Sequence, residues 1–126
     1  MTLVEVMVAL LVTTVGLLGA LASVGVTVRG ANFSRSASEA SVLVQSKLEQ
    51  VISLPAGTTT GTLPSGGLPE TLDANGNTTT TGPYTRTTTW STVPGGLQRQ
   101  VQVQVDWKDG MNVQHSVMAS RTQALQ

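Results

Sequence analysis

Histidine, cysteine and clustered carboxylates carry most enzyme and metal chemistry, and this chain is poor in all three. It has one histidine, His115, and no cysteine, so no thiolate is available as a nucleophile or metal ligand. Serine and threonine are abundant, yet no base and orienting acid are recognisable beside any of them. A lone histidine is more often structural than catalytic. We therefore expect no enzyme activity, no catalytic residue and no cofactor.

One acidic segment deserves comparison with a calcium loop. Asp73, Asn75 and Asn77 alternate as the first three ligands of an EF-hand do. Position six of that loop, normally glycine, is Thr78 here, and position twelve is Tyr84 in place of glutamate. A turn held by Asx side chains explains the same residues. We expect that turn and no metal site.

Glu5 is the ionisable residue in the least ordinary position, because it stands at the start of a long apolar stretch. A carboxylate inside a membrane costs on the order of 3 kcal/mol, so it calls for a partner. The first basic residue along the chain is Arg29, too far away on one helix to serve. The nearest positive charge is the α-amino group of Met1, or the same group on a neighbouring copy.

The apolar stretch runs from Val6 to Val28 without a charged residue. As a helix it would be about 35 Å long, enough to cross a hydrocarbon core of about 30 Å. A signal peptide would begin with basic residues, which are absent before Glu5, although Ala20-Leu21-Ala22 resembles a cleavage site. A buried core helix would need more surrounding apolar chain than follows. An ordinary single-pass anchor remains open, but it has no evident use for Glu5.

The segment Met1-Thr2-Leu3-Val4-Glu5-Val6-Met7-Val8-Ala9-Leu10 resembles the mature N-terminus of type IV pilins and pseudopilins. Their pattern is a hydrophobic residue, threonine, two aliphatic residues and glutamate at the fifth position. The likeness covers about the first 28 residues. Major pilins commonly begin with phenylalanine and carry proline at position 22, where this chain has Met1 and Ala22. With Val15-Gly16-Leu17-Leu18-Gly19, the segment is most similar to PilV-like minor pilins and the I-type minor pseudopilins of type II secretion.

The resemblance implies a processing and assembly chemistry. A prepilin peptidase would remove a basic leader and methylate the amine of Met1. That leader would also set the orientation, which Arg29 and Arg35 alone would reverse. Glu5 would neutralise the Met1 amine of an adjacent subunit. Gly16 and Gly19 would allow close helix packing or local unwinding of the helix. The residues expected to pack between subunits are Leu3, Val6, Leu10, Gly16 and Gly19.

Helical periodicity continues beyond the apolar stretch. Six apolar residues recur every three or four positions, which is typical of one buried helical face. They are Phe33, Ala37, Ala40, Val44, Leu48 and Val51. We predict a single helix from about Thr2 to Ser53, ended by Pro55-Ala56-Gly57. Its two parts are an assembly half, 1–28, and an amphipathic half, 29–54.

The remaining sequence predicts a loop followed by a sheet. Residues 55–83 are rich in Thr, Gly, Pro and Asn and predict a long surface connection. Strands are predicted at 84–92, 99–107 and 112–120, with an Asp-Gly turn before the last. In the second strand, apolar and polar side chains alternate, so one face should pack on the helical stripe. The buried residues of that strand are expected to be Val101, Val103, Val105 and Trp107.

The predicted fold is therefore α+β: a long N-terminal helix whose second half packs on an antiparallel sheet of three or four strands in residues 84–126, which is the pilin architecture.

Seven basic residues balance seven acidic ones, so we expect no nucleic-acid partner. The resemblance implies a minor pilin in a tip or priming complex. Its partners would be other pilin or minor pilin subunits and a tip adhesin, first in the bacterial inner membrane with the head in the periplasm, then in an extracellular pilus. A pseudopilin, an adhesive or DNA-binding head, and a membrane-tethered domain that never assembles remain alternatives.

Overall fold

A computed structural model describes residues 2–54, 67–93, 95 and 98–124 of the chain. One helix, α1 (Leu3–Ser53), precedes four strands: β1 (Pro69–Leu72), β2 (Tyr84–Thr92), β3 (Gln98–Lys108) and β4 (Gln114–Ala124). The strands form one antiparallel sheet in the order β1-β2-β3-β4. The predicted α+β fold, a long helix followed by an antiparallel sheet that packs on it, is confirmed.

The chain divides into two compact units, Met1–Arg35 and Ser36–Gln126. In the second unit, a core forms between the C-terminal part of α1 and one face of the sheet. The helix contributes Ala40, Leu43, Val44, Leu48 and Val51, and the strands contribute Leu72, Tyr84, Val101, Val103, Val105 and Trp107. Spacing of three and four along α1 puts its core residues on one face, while alternation along β3 puts every second residue there.

Phe33 departs from the stripe to which its spacing assigns it. Its side chain is 45% exposed, whereas Ala40 and Val44 are almost fully buried. Phe33 belongs to the first unit and lies one turn before Ala37, the first stripe residue that packs against the core. Periodicity identifies a helical face but cannot say where along the helix the sheet begins to cover it.

The predicted connection 55–83 contains a strand that composition did not reveal. β1 is only four residues long and begins with Pro69, a residue tolerated at the first position of an edge strand. It pairs with β2 and places Leu72 in the core with no exposed surface. The first part of that connection, 55–66, lies outside the described residues, as does the proposed helix stop at Pro55.

Two polar side chains on the helix-facing side of the sheet, Arg86 and Tyr84, are paired, whereas the buried Thr88 hydroxyl has no hydrogen-bond partner among the described residues. Arg86, which is buried, donates through Nη2 to Glu70 at 2.7 Å and through Nε at 3.1 Å. The hydroxyl of Tyr84 donates to Glu39 of α1 at 2.7 Å. These pairs cross from one strand to the next and from sheet to helix, so they fix the register as well as satisfying buried groups.

One backbone carbonyl at the C-terminal end of α1 is satisfied from the sheet. The helix has no basic residue in its last turn, but Gln123 of β4 donates from Nε2 to the carbonyl of Ile52 at 3.1 Å. The amide oxygen of Gln123 accepts from Nε of Arg99 at 3.0 Å. Arg99 is buried, with 3% of its surface exposed. Because Gln123 links it to the Ile52 carbonyl, its charge lies near the negative end of the helix dipole.

Candidate assembly surface

The first unit consists of helix whose described residues, 2–35, are all exposed. Exposure of its large apolar side chains ranges from 42% at Val6 to 78% at Leu3. α1 is long and apolar enough to cross a membrane, and none of its most apolar stretch is buried. Apolar surface of this extent is normally covered by lipid or by other protein. It is therefore the main candidate site of the molecule.

The few polar side chains in the apolar stretch satisfy their hydroxyl groups within the helix. Thr13 donates to the carbonyl of Ala9 at 2.7 Å, and Thr14 donates to that of Leu10 at 2.8 Å. Ser23 and Thr27 likewise donate to carbonyls one turn earlier, at 3.2 Å and 3.0 Å. Hydroxyl groups bonded in this way cost little in hydrocarbon, where no water can satisfy them. These polar interruptions are therefore compatible with a membrane span.

Glu5 also has a local role at the start of the helix, besides the charge pairing expected from the sequence. The Thr2 hydroxyl accepts from the Glu5 backbone N–H, and Oε2 of Glu5 accepts from the Thr2 N–H, each at 3.4 Å. This reciprocal arrangement is a capping box, and the Thr-x-x-Glu spacing that announces it was readable in the sequence. A helix that never assembles would thus also have a use for this glutamate. Glu5 alone does not separate an assembling helix from an inert anchor.

The residues predicted to pack between subunits fall on two sides of the helix. At about 100° per residue, Leu3, Val6 and Leu10 lie together on one side, whereas Gly16 and Gly19 lie on another. The glycine side is the one that carries Glu5. It continues through a series of small side chains at alternating spacings of four and three residues: Ala9, Thr13, Gly16, Ala20, Ser23, Thr27 and Gly30.

Nothing in the folded chain requires glycine at positions 16 and 19. Apart from the backbone of its own helix, a Cβ atom added to either would meet no atom within 4 Å. Glycine in the middle of a helix costs about 0.5–1 kcal/mol relative to alanine. A reason for these glycines must therefore lie in close approach by another helix or in local unwinding, the two interpretations already open from the sequence. The small side chains around them favour close approach.

Two turns in the second unit use the same construction. Asp73 Oδ1 accepts from the N–H groups of Asn75 and Asn77 at 2.9 Å and 2.8 Å. Asp109 Oδ1 accepts from those of Met111 and Val113, both at 2.9 Å. In each turn the fourth residue, Gly76 or Asn112, has a positive φ. The Asx turn expected at Asp73 is present, and its carboxylate is directed into its own loop.

Hydrogen bonding lowers the pKa of both turn carboxyls below the usual value. For Asp73 the main cause is the Asn77 side chain, which donates to Oδ2 at 3.0 Å, followed by the Asn77 backbone N–H. For Asp109 it is His115, whose Nε2 lies 3.0 Å from Oδ2, followed by the Val113 N–H. Within the described ranges, no three His, Asp or Glu side chains are placed to hold a metal ion. The side chain of His115 thus joins β4 to the turn that connects β3 with β4.

Met1, the predicted site of processing and of pairing with Glu5, lies outside the described residues. No family model, curated protein or solved structure matches this chain.

Proposed function

We propose that this chain is a minor pilin-like structural subunit, which assembles through the first half of α1 into a type IV pilus and acts in the tip or priming complex. The observation that carries the proposal is the exposed apolar helix of membrane length that opens with Thr2 and Glu5. Before assembly, the helix resides in the bacterial inner membrane with the sheet domain in the periplasm. In the fibre, other subunits replace lipid around it. The role is structural and not enzymatic.

Two interactions supply the energy and the direction of assembly. Helix packing along the side with small residues brings backbones close, so that van der Waals contact stabilises the association without a hydrophobic contribution from water. The Glu5 carboxylate pairs with the methylated amine of Met1 on an adjacent subunit. The capping box uses Oε2 of Glu5, so the amine would pair through Oε1. Prepilin peptidase creates the amine by removing a basic leader.

A minor pseudopilin of a type II secretion system is the close alternative, since the same helix would serve in a periplasmic fibre. The two assignments share the assembly chemistry and differ in the machine that the subunit joins. Co-purification with pilus subunits or with secretion components separates them.

The test compares Glu5→Ala with Glu5→Gln in the native cell envelope. Glutamine can replace glutamate in a capping box, so Glu5→Gln keeps the cap and removes only the charge. We expect wild-type protein in sheared fibres, with an N-methylated Met1 by intact-mass and N-terminal peptide mass spectrometry. Both variants should be lost from fibres while remaining in the membrane.

Each other outcome has a distinct meaning. If Glu5→Gln enters fibres like wild type and Glu5→Ala does not, Glu5 acts as a cap and the charge pairing is wrong. If both enter normally, Glu5 has no part in assembly. If wild-type protein carries an unprocessed N-terminus and never enters fibres, the chain is a membrane-anchored domain and the proposed function is wrong.

A further inference from the structure

β4 forms one edge of the sheet over its whole length of 11 residues, about 36 Å. It pairs with β3 residue for residue from Gln114 to Ala124, without a bulge. On its other side, no backbone group within 2–54, 67–93, 95 and 98–124 bonds to it. β4 also contains no proline, lysine or acidic residue, and Arg121 is its one permanently charged side chain. It is therefore a long open edge, of the kind to which another strand can be added.

The alternation of hydrogen bonds identifies the residues that face this open edge. Just beyond the β3–β4 ladder, and in the same register, the N–H of Asp109 donates to the carbonyl of Val113 at 3.0 Å. Because bonded pairs of an antiparallel ladder alternate with non-bonded pairs, the odd-numbered residues of β4 bond to β3. The even-numbered residues turn their N–H and C=O groups outward. They are Gln114, Ser116, Met118, Ser120, Thr122 and Ala124.

The opposite edge of the sheet is blocked. The N–H of Val93 donates to the carbonyl of Gln98 at 2.9 Å, so odd-numbered residues of β2 bond to β3 and even-numbered ones to β1. The β1 residues that face outward are therefore Pro69 and Thr71. Pro69 has no N–H, and the Thr71 carbonyl already accepts from the N–H of Thr79 at 2.9 Å. Natural sheets protect their edges by such means, and β4 has none of them.

Side chains on the helix-facing side of β4 set the chemistry of a strand that would fit. Val117 and Ala119 pack against the margin of the core but stay partly exposed. Arg121, on the same side, is exposed and makes no ion pair with a described residue. In an added antiparallel strand, the residues opposite these three form non-bonded pairs, in which side chains approach most closely. Apolar residues opposite Val117 and Ala119, and a carboxylate opposite Arg121, are complementary to β4.

We propose that β4 binds an antiparallel strand of a different polypeptide, which carries apolar residues opposite Val117 and Ala119 and an acidic residue opposite Arg121. A second copy of this chain does not fit, because its β1 edge is blocked and its own β4 has no acidic residue to meet Arg121. Main-chain hydrogen bonds would hold the added strand, and its side chains would cover the exposed margin of the core. The inference goes beyond the proposed function, since it does not require that the chain enter a fibre.

The test uses the full chain in phosphocholine micelles and the synthetic peptide acetyl-Glu-Thr-Val-Thr-Val-Thr-Gln-amide. Antiparallel to β4, this peptide places its glutamate opposite Arg121 and its two valines opposite Ala119 and Val117. Amide hydrogen exchange, followed by NMR during the titration, reports on the outward N–H groups. These should exchange rapidly in the free chain and about tenfold more slowly with peptide bound. The amides to be followed are those of Ser116, Met118 and Ser120.

N-methylated peptides are the matched controls, because successive N–H groups of a strand point to opposite sides. Methylation of the threonines opposite Met118 and Ser116 removes donors that face β4, so binding should weaken about tenfold or be lost. Methylation of the two valines adds the same number of methyl groups on the side away from β4 and should leave binding unchanged. Lysine in place of the peptide's glutamate should weaken binding about threefold, through Arg121.

A variant pair tests the same edge in the protein. Met118→Pro removes one outward N–H and leaves every bond to β3 in place, so circular dichroism should show a folded sheet that no longer binds the peptide. Met118→Ala keeps the N–H and should bind like wild type. The proposal is overturned if the unmodified peptide protects none of the outward amides, or if the two methylated peptides bind equally. It is also overturned if these amides are protected before peptide is added and sedimentation shows a dimer, which would assign the edge to a second copy.

Discussion

Residues 3–28 and 36–53 belong to the same helix, yet their side chains meet opposite surroundings. In the first segment every residue is exposed although almost all are apolar, whereas in the second a stripe from Ala40 to Val51 is buried by the sheet. Both segments are helical. The difference teaches that the second segment is stabilised by this chain's own core, while the apolar surface of the first has no cover among the described residues and is of a kind normally covered by lipid or other protein.

The sharpest way to test this contrast is to place a charge in the buried stripe. Val44 is 1% exposed and Val42, two residues away, is 64% exposed. Val44→Asp buries a carboxylate without a partner and should cost roughly 3–5 kcal/mol, a large share of a small domain's stability. Val42→Asp should change stability by less than about 0.5 kcal/mol.

Urea unfolding of the full chain in micelles, followed by tryptophan fluorescence, measures both variants, since Trp107 is buried in the core. The two substitutions share chemistry, helix and neighbourhood, and they differ only in the face on which they lie. Equal destabilisation by Val42→Asp and Val44→Asp would mean that the stripe does not pack as described.

A charge in the exposed segment should have the complementary effect. Leu17 lies at the middle of the apolar stretch and is 60% exposed. Leu17→Arg should weaken membrane insertion by about 3 kcal/mol, a factor of roughly 100 in partitioning. The unfolding midpoint of the sheet domain should not change. Insertion is measured by glycosylation mapping in microsomes, and Leu17→Ile serves as the control for altered packing. Loss of sheet-domain stability in Leu17→Arg would contradict the expectation that the core of the second unit does not depend on residue 17.

The sequence was informative wherever one period ran through a long element. The stripe and the alternation in β3 are strong because each pattern repeats several times, and they predict which residues share a face. β1 could not be predicted, because four residues headed by Pro69 carry no period and gain their stability from pairing with β2. The exposure of Phe33 could not be predicted either, since the extent of a sheet along a helix is set by tertiary packing.

In the apolar first half of α1, the sequence predicted the membrane-length helix but not the local role of Glu5. The length and apolarity of 6–28 are properties of sequence, and so is the Thr2-x-x-Glu5 spacing, although its meaning as a capping box was missed in favour of a charge partner.

The smallest expected effect concerns acid, which should act on the sheet domain and spare the apolar stretch, where no titratable side chain lies between Glu5 and Arg29. The pKa of Asp109 is lowered from 3.8 in the folded state, chiefly by the hydrogen bond with His115. The unfolded chain therefore takes up this proton at a higher pH than the folded chain does. The resulting stabilisation is fully present above the unfolded value and is lost as pH falls through the lower folded value.

Asp109→Asn isolates this contribution, because an asparagine oxygen can still accept from the Met111 and Val113 N–H groups but does not titrate. Urea midpoints at pH 7 and pH 3 should differ less in Asp109→Asn than in wild type, and still less when Asp73→Asn is added, since the pKa of Asp73 is lowered in the same direction. Insertion into microsomes should not distinguish these variants from wild type. A midpoint that falls as far in Asp109→Asn as in wild type would show that acid acts through other carboxyls.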